Sequence, residues 1–253
     1  MITIDDLEVR AGVRTLLHMD GSSLRVQPGD RIGLVGRNGA GKTTTMRILA
    51  GEGEPYAGKV TRTGDLGYLP QDPREGNMDQ LARSRVLSAR GLDVLMADMA
   101  EAQTQMVDAE DDKAMDRAVR RYGRLEDEFS ARGGYEAESE AARICNSLGL
   151  EDRILTQNLG TLSGGQRRRV ELARILFSGA ETLLLDDPTN HLDADSITWL
   201  RQFLEKHEGG LIIISHDVEL LDAVCNKVWF LDAVRGEIDA YNMGWKKYLD
   251  ARA

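Results

Sequence analysis

The chain has 253 residues, of which 42% are hydrophobic and 29% are charged, a composition typical of a packed protein with a sizeable core. Its formal net charge is -10 at pH 7, which argues against a wholly basic surface for binding nucleic acid. Local arginine clusters can still contact phosphate groups. Net charge therefore neither excludes nor indicates a nucleic-acid partner.

The sequence also lacks the signals of a membrane protein and of a cysteine-histidine metal site. No apolar run approaches the roughly 18 to 20 residues of a membrane helix, and the first residues have neither a basic flank nor an apolar signal region. Cys145 and Cys225 lie inside apolar patterns, and no Cys or His cluster has metal-ligand spacing, so we interpret both as small core residues. We expect a cytoplasmic protein without membrane insertion.

The first part of the chain predicts short strands separated by turns. The predicted strands cover residues 2–9, 23–26, 31–35, 59–61 and 66–69, and a helix is predicted over residues 42–50. The strand at 31–35 leads directly into a glycine-rich turn and then into this helix. The order strand, glycine loop, helix is typical of a phosphate-binding site.

The composition changes in the middle of the chain. From about Arg83 to Leu148 the sequence is charged, periodic and nearly free of proline, which predicts two helices, Val86–Val107 and Asp112–Ala131, as an antiparallel hairpin. After residue 150 the predicted elements alternate: a helix at 163–177, a strand at 182–185, a helix at 196–207 and a strand at 211–214. This alternation predicts a parallel α/β core.

The glycine-rich turn fits the P-loop pattern G-x-x-x-x-G-K-[ST] in the strand-to-helix context that the pattern requires. Its residues, with the one that follows, are Gly36, Arg37, Asn38, Gly39, Ala40, Gly41, Lys42, Thr43 and Thr44. Glycines let the loop wrap around phosphate oxygens with its N–H groups pointing inward. Lys42 adds a positive charge at the β- and γ-phosphates, and Thr43 supplies a hydroxyl to Mg²⁺.

Two adjacent acids end a later apolar strand and complete the expected site. Asp186 can orient a Mg²⁺-bound water near Thr43, and Asp187 points toward the γ-phosphate as a candidate general base. The alternative is that the two acids only cap a helix before Pro188. Together with the P-loop, they predict ATP and Mg²⁺ as the ligands.

The sequence Leu162-Ser163-Gly164-Gly165-Gln166, between the P-loop and the Asp186 strand, resembles the signature of the ATP-binding-cassette family. Three further motifs follow in the family's order over essentially the whole chain: Gln71 at the Q-loop, Leu192-Asp193 at the D-loop and His216 at the switch histidine. The resemblance implies that Gln71 senses Mg²⁺ and the attacking water, and that His216 senses the γ-phosphate. It also implies that Ser163 to Gln166 serve the ATP of a second nucleotide-binding domain, present in tandem or by homodimerisation.

The segment Pro188-Thr189-Asn190-His191-Leu192-Asp193 resembles the soluble tandem ATPases of the ABC-F class. The implied fold is α/β: a P-loop ATP-binding-cassette domain with a parallel core sheet, an N-terminal antiparallel β subdomain and a helical subdomain carrying an inserted helical hairpin arm at 83–148. In this class such an arm reaches into the ribosome and its rRNA or tRNA. The alternative is a compact helical subdomain with a surface extension, and the arm's arginines, interspersed with acids, indicate RNA contact only weakly.

The end of the chain, Tyr241 to Tyr248, resembles the segment before the interdomain linker of ABC-F proteins, so residues 240–253 are expected to begin such a linker. This favours the N-terminal half of a tandem protein, with a natural homodimerising half as the alternative.

The sequence departs from the family pattern at two places. Asp187 stands where the family usually has Glu, so its carboxylate is one methylene short and we expect slow hydrolysis with ATP binding preserved. No aromatic residue lies in Val9 to Val13, where one often stacks on adenine. Either Arg10 stacks through its guanidinium or the base is weakly recognised.

These features favour an ABC-F ATPase domain that acts on the ribosome in translation control or antibiotic resistance. The first alternative is the ATPase subunit of a transporter, of the drug or macrolide export type, which would dock a membrane domain beside Gln71. A chromosome or DNA-repair ATPase would need a longer coiled coil or zinc modules at the insertion.

Overall fold

A computed structural model describes residues 1–72 and 76–253 of the chain. The chain divides into two compact units. The first, here called the sheet unit, comprises Met1–Arg74 and Gly179–Ala253, and the second, the helical unit, comprises Glu75–Ser178. In the described ranges, no helix combines the length and apolar character needed to cross a membrane.

The structure contains strands β1 to β10 and helices α1 to α10. In chain order they are β1 (Ile2–Ala11), β2 (Arg14–His18), β3 (Ser23–Val26), β4 (Arg31–Val35), α1 (Lys42–Leu49), β5 (Ala57–Arg62), β6 (Leu66–Leu69), α2 (Ala82–Leu87), α3 (Leu92–Val107), α4 (Asp112–Ala131), α5 (Gly134–Ser147), α6 (Asp152–Leu155), α7 (Gly164–Phe177), β7 (Thr182–Asp186), α8 (Ala194–Glu205), β8 (Gly210–Ile214), α9 (Val218–Val224), β9 (Lys227–Asp232), β10 (Glu237–Tyr241) and α10 (Trp245–Arg252). Two short 3-10 turns lie at Ser88–Arg90 and Leu159–Thr161.

The sheet unit contains two β-sheets. In the first, β1 pairs antiparallel with β2, β3 and β5. The second has the strand order β10-β9-β4-β8-β7-β6, in which every pair is parallel except the antiparallel pair of β9 and β10. The carboxyl ends of β4, β6, β7 and β8 therefore meet at one edge, where ligands of open parallel sheets commonly bind.

The core of the sheet unit is formed by apolar side chains of both sheets and of α1. All residues of β7 and β8 are buried, as expected for central strands of a parallel sheet that is covered on both faces. Met46 and Leu49 of α1 are also buried, which fixes the helix that follows the glycine-rich turn. The edge of the sheet is therefore held by a packed core.

The helical unit contains α2 to α7. Helices α3 and α4 form an antiparallel pair, in which Arg121 of α4 donates to Glu101 (2.7 Å) and Gln105 (3.1 Å) of α3. Asp111 caps α4 by accepting a hydrogen bond from the Ala114 N–H at 2.7 Å. The two helices thus have the antiparallel arrangement expected of a hairpin, whereas its function as an arm stays a prediction.

A buried ion cluster connects α2 with α7 inside the helical unit. Glu171 is only 8% exposed, and its carboxylate binds Arg85 Nε at 2.6 Å and Arg174 Nη2 at 3.0 Å. Buried charges of this kind are tolerated because each has an opposite partner and further hydrogen bonds. The packing of α7 on α2 therefore depends on side-chain charges as well as on apolar contacts.

The parallel core and the antiparallel N-terminal sheet confirm the predicted fold class. The single helix predicted over Val86–Val107 is wrong at its start, because α2 ends at Leu87 and α3 begins at Leu92. Gly91 lies between them with a φ of 69°, a left-handed conformation that ends a helix.

Several other elements were not predicted. These are β2, α2, α5, α6, α9, β9, β10 and α10. β2 is short, and its adjacent Leu16 and Leu17 conceal the alternation of a strand. At the other end, Ala240 and Tyr241 complete β10, so the expected linker segment begins inside the sheet. α10 belongs to the sheet unit through its buried Tyr248, and a connection to a further domain stays a prediction.

Candidate nucleotide-binding site

The glycine-rich turn between β4 and α1 needs glycine for two physical reasons. Gly39 and Gly41 have φ values of 78° and 102°, in the left-handed region that other residues rarely adopt. At Gly36 the reason is space, because a Cβ atom would lie 2.7 Å from the carbonyl oxygen of Leu231. The loop conformation is therefore specified by its glycines.

The N-terminus of α1 begins at Lys42 and has no side-chain cap, because its N-cap residue is Gly41. Uncapped N–H groups at a helix start attract anions. Lys42 Nζ donates to the carbonyl oxygens of Gly36 (2.7 Å) and Arg37 (3.0 Å), which holds its ammonium group over the loop. Burial lowers the pKa of Lys42, and the negative charge of Asp186 partly offsets this effect. The loop thus presents both N–H donors and a cation.

Two of the three predicted magnesium-site residues, Thr43 and Asp186, lie in direct contact, and the third, Gln71, lines the same cavity. Thr43 Oγ1 donates to Asp186 Oδ2 at 2.8 Å, although the residues are 143 positions apart in the sequence. Asp186 ends β7 and is 1% exposed, so its carboxylate is held by the core. Oxygen ligands are what Mg²⁺ prefers, and Mg²⁺ is usually bound by one or two protein oxygens together with substrate phosphates. The Thr43 and Asp186 pair fits this chemistry.

Asp187 directly follows Asp186 and has an unusual backbone conformation. Its φ of 54° lies in the left-handed region, where Asp is better tolerated than most residues. Its N–H donates to Ile214 O at 2.8 Å, and its carbonyl oxygen accepts from Asn190 N–H at 3.3 Å. These bonds turn the chain after β7. The side chains of Asp186 and Asp187 therefore leave the backbone in different directions.

The predicted catalytic residues and most of the P-loop residues line one cavity of about 480 Å³ in the sheet unit. Its walls are Ala11, Arg14, Leu16, Asn38, Gly39, Gly41, Lys42, Thr43, Thr44, Gln71, Asp186, Asp187, Ile214 and His216. Gln71 follows β6 and His216 follows β8, so strand order explains why distant residues meet here. Gly36, Arg37 and Ala40 belong to the loop without lining the cavity, and Ala40 is buried.

A larger depression of about 1200 Å³ lies in the helical unit at the α3–α4 hairpin. It is lined by charged side chains such as Asp111, Arg117 and Arg124, and it contains none of the predicted site residues. In the smaller cavity, by contrast, a cation, an uncapped helix and the acid pair converge.

The signature segment lies in the helical unit at the start of α7. Ser163 Oγ accepts from Gln166 N–H at 3.1 Å, and Gln166 Oε1 accepts from Ser163 N–H at 2.9 Å, which together form a capping box. Ser163 and Gly164 are exposed, and Gly165 and Gln166 are half-buried. The predicted second phosphate cradle is therefore accessible, with its cap formed by its own side chains.

The first hairpin forms the side of the cavity for which the sequence left two alternatives, stacking by Arg10 or weak recognition of the base. Arg10 does not line the cavity: its guanidinium lies 3.4 Å from the ring centroid of Tyr56, and its Nε donates to Glu8 at 2.6 Å. Ala11, Arg14 and Leu16 form this wall instead. Sequence reasoning missed them because β2 was not predicted, and the pairing of β2 with β1 brings them together.

Side chains of the described residues supply few metal ligands at this cavity. Among the described residues, no group of three or more His, Cys, Asp or Glu side chains could hold a metal ion by itself. The Thr43 and Asp186 pair supplies too few ligands for an all-protein cage but suits a cation that is shared with phosphates.

Comparison with known families agrees with this geometry. The sequence profile described as "ABC transporter" matches residues 19–190, which include the P-loop, the signature segment and the acid pair. The chain belongs to the ABC transporter family. Membership makes it an ATP-binding, ATP-hydrolysing domain and confirms the family resemblance seen in the sequence.

Similar curated proteins belong to the ABC-F class, which confirms that part of the resemblance as well. The tylosin resistance ATP-binding protein TlrC of Streptomyces fradiae is 38% identical over 237 residues, covering 91% of this chain and 42% of TlrC. The energy-dependent translational throttle protein EttA of Escherichia coli K12 is 36% identical over 232 residues, covering 91% of this chain and 41% of EttA. The chain thus spans about two fifths of the length of these relatives.

Solved structures agree on the fold. A chain described as the ATP binding subunit of an ABC transporter has a TM-score of 0.69 at 17% identity, covering 95% of this chain and 89% of that one. A putative metal-chelate type ABC transporter in an inward-facing conformation gives a TM-score of 0.59 at 20% identity, covering 95% and 82%. At these identities the similarity extends to the fold alone.

Proposed function

We propose that this chain is the nucleotide-binding half of an ABC-F ATPase that binds Mg-ATP in the P-loop cavity and acts on the ribosome. The observation that carries the nucleotide part is the contact of Thr43 with Asp186 at 2.8 Å beside the Lys42 ammonium group. A cation, an uncapped helix and a hydroxyl-carboxylate pair together suit a triphosphate with its metal.

In this proposal the P-loop residues divide the binding between them. The N–H groups of the loop and of α1 hold the phosphate oxygens, while Lys42 turns from its own loop carbonyls to the β- and γ-phosphates. Thr43 and Asp186, with Gln71, would hold Mg²⁺, which would neutralise negative charge on the phosphates. Because Asp186 is buried and fixed by β7, its orientation needs little rearrangement.

Hydrolysis is assigned to Asp187, with Gln71 and His216 beside it on the cavity wall. Asp187 would accept the proton of the attacking water as general base. Its side chain is one methylene shorter than the Glu usual in the family, so the carboxylate must recruit water or shift. A misplacement of about 1 Å can cost on the order of 10²-fold in rate. We therefore propose slow hydrolysis with binding preserved.

A second nucleotide-binding domain is the first proposed partner. The exposed start of α7, Ser163 to Gln166, would contact the ATP that this partner holds, either in tandem on one longer chain or in a homodimer. The length of TlrC and EttA relative to this chain supports the tandem form.

The ribosome is the second proposed partner, in translation control or antibiotic resistance. The support is similarity to one protein named for tylosin resistance and another named as a translational throttle. Arg117, Arg120 and Arg124 are exposed on α4 at spacings of three and four, which places them on one helix face. Such a face can contact the phosphates of rRNA or tRNA. This partner would place the protein in the cytoplasm.

Co-sedimentation tests the proposal. The full-length protein, carrying Asp187→Asn to retain ATP, is mixed with ribosomes or with membrane vesicles and pelleted with and without ATP. We expect ATP-dependent pelleting with ribosomes only, and the same protein with Lys42→Ala serves as the control that cannot hold ATP. Pelleting with membranes instead would support the transporter alternative and contradict the ribosomal one.

A further inference from the structure

The wall of the cavity opposite the phosphate loop is the hairpin of β1 and β2. Ala11 pairs with Arg14 directly across the turn, so their side chains lie on one face of the hairpin. Leu16, which the shift in register leaves unpaired, lines the cavity beside them. A Cβ atom on Gly41 would lie 2.9 Å from Leu16 Cδ1, so this wall packs directly against the phosphate loop.

Arg14 is the one residue of this face with a planar, charged end. It is exposed and lines the cavity, and in the described parts of the chain its guanidinium has no hydrogen-bond or ion-pair partner. Arg10 differs sharply, because Glu8 and the Tyr56 ring already engage its guanidinium outside the cavity. Within the hairpin, Arg14 thus has a guanidinium available to a ligand.

We propose that Arg14 stacks its guanidinium on the nucleobase of the bound nucleoside triphosphate, and that the site accepts adenine and guanine nucleotides alike. This inference rests on the proposed nucleotide site. Guanidinium planes stack on π-systems, and purine rings of either kind offer such a face. The other two side chains of this wall, Ala11 and Leu16, have no polar atom with which to recognise the edge of a base.

Equilibrium binding of three ligands tests the proposal: Mg-ATP, Mg-GTP and Mg-tripolyphosphate, which has the phosphates without a base. We expect ATP and GTP to bind within about threefold of each other, and both to bind more tightly than tripolyphosphate. Arg14→Ala should weaken ATP and GTP about tenfold, the upper range of a cation-π contact, and leave tripolyphosphate unchanged.

Two further variants separate stacking from charge and from folding. Arg14→Tyr replaces the guanidinium with another stacking surface and should restore nucleotide affinity, whereas Arg14→Lys keeps the charge without the plane and should not. Arg10→Ala is the matched control on the same hairpin and should leave all three affinities unchanged. Thermal melting of each variant checks that the hairpin remains folded.

Each contrary result has a distinct meaning. An equal loss of tripolyphosphate affinity in Arg14→Ala would show that Arg14 holds phosphate, and no loss for any ligand would show that it touches none of them. A preference for ATP over GTP above about tenfold would contradict recognition by the face of the base. Failure of the unmutated protein to bind any of the three ligands would instead overturn the nucleotide site itself.

Discussion

The P-loop and the signature segment each include the start of a helix, but the two helix starts are capped differently. At α1 the N-cap is Gly41 in a left-handed conformation with a φ of 102°, and no side chain caps the helix. At α7 the N-cap is Ser163 in an extended conformation, and its hydroxyl together with Gln166 forms a complete capping box. The start of α1 thus leaves its N–H groups available to a ligand, whereas at the start of α7 the side chains of Ser163 and Gln166 already accept hydrogen bonds from some of the N–H groups.

Because of this difference, the α1 start can accept an anion as it stands, whereas a ligand at the α7 start must first displace the cap. The α1 start carries Lys42 and Thr43 and shares its cavity with Asp186 and Asp187, so the sheet unit brings a cation, N–H donors and carboxylates together. A ligand at the α7 start must compete with the cap, which is worth about 1 kcal/mol in typical helices. We therefore expect the sheet unit to bind nucleotide by itself and the signature segment to act only when a second domain presents ATP.

The largest expected effect is the loss of nucleotide binding in the sheet unit. Lys42→Ala removes the cation from the P-loop and should weaken Mg-ATP binding to the chain by about 4 kcal/mol, roughly 10³-fold. Ser163→Ala should leave this affinity unchanged in the isolated chain and lower hydrolysis only after a second domain is added. Calorimetric titration and phosphate release measure the two effects. Equal loss of affinity in both variants would show that the contrast between the helix starts is wrong.

The next effect concerns the stability of the helical unit. Glu171→Ala leaves Arg85 and Arg174 without their buried carboxylate and should cost about 3 kcal/mol of unfolding free energy. Glu128→Ala is the matched control, because it breaks the exposed pair with Arg132 and should cost only about 0.5 kcal/mol.

The two buried cysteines report on the two units separately. Cys145 lies in the helical unit and Cys225 in the sheet unit, so variants that keep one thiol each reveal which unit opens as urea is added. Glu171→Ala should lower the urea concentration at which Cys145 is labelled without changing that for Cys225. An equal shift at both thiols would mean that the units unfold together.

A further effect is expected at Asp187, whose short side chain should slow hydrolysis and leave ATP affinity unchanged. Asp187→Glu extends the carboxylate by one methylene and should raise hydrolysis in the full-length protein by up to roughly 10²-fold, with little change in ATP affinity. Asp187→Asn, which cannot accept a proton, should abolish turnover. Phosphate release at saturating ATP measures both. If Glu brings no acceleration, the short side chain does not limit the rate.

The sequence predicted the parts of the site whose residues are close together in the chain. It did not predict the part of the cavity wall that forms when two strands pair. The P-loop, its strand and its helix were predicted because glycine conformations and the Lys42 position are encoded within nine residues. The wall with Arg14 was missed because it depends on β2 pairing with β1. Of the two alternatives for the base, stacking by Arg10 is not favoured, because its guanidinium contacts Tyr56 and Glu8. Gly91, which divides the predicted first helix, could have been recognised as a helix end.

The smallest effect is the pH dependence of cysteine labelling. Burial raises the pKa of Cys145 and of Cys225 to about 12, so both thiols stay protonated and unreactive in the folded protein at pH 7 to 9. Labelling must then pass through an opened state, where a thiol has an ordinary pKa of about 8.5. Its rate should rise roughly twentyfold from pH 7 to pH 9 and then level off.

Direct attack on the folded thiols would give a different profile, because the labelling rate would continue to rise about tenfold per pH unit toward pH 12. The sign of the linked stability change follows from the same shift. Between about pH 8.5 and 12 the folded state retains protons that the unfolded state has lost, so each thiol makes unfolding easier as the pH rises through this window. A thiol whose labelling does not level off would therefore be accessible in the folded unit, and that unit's core would be less closed than its neighbour's.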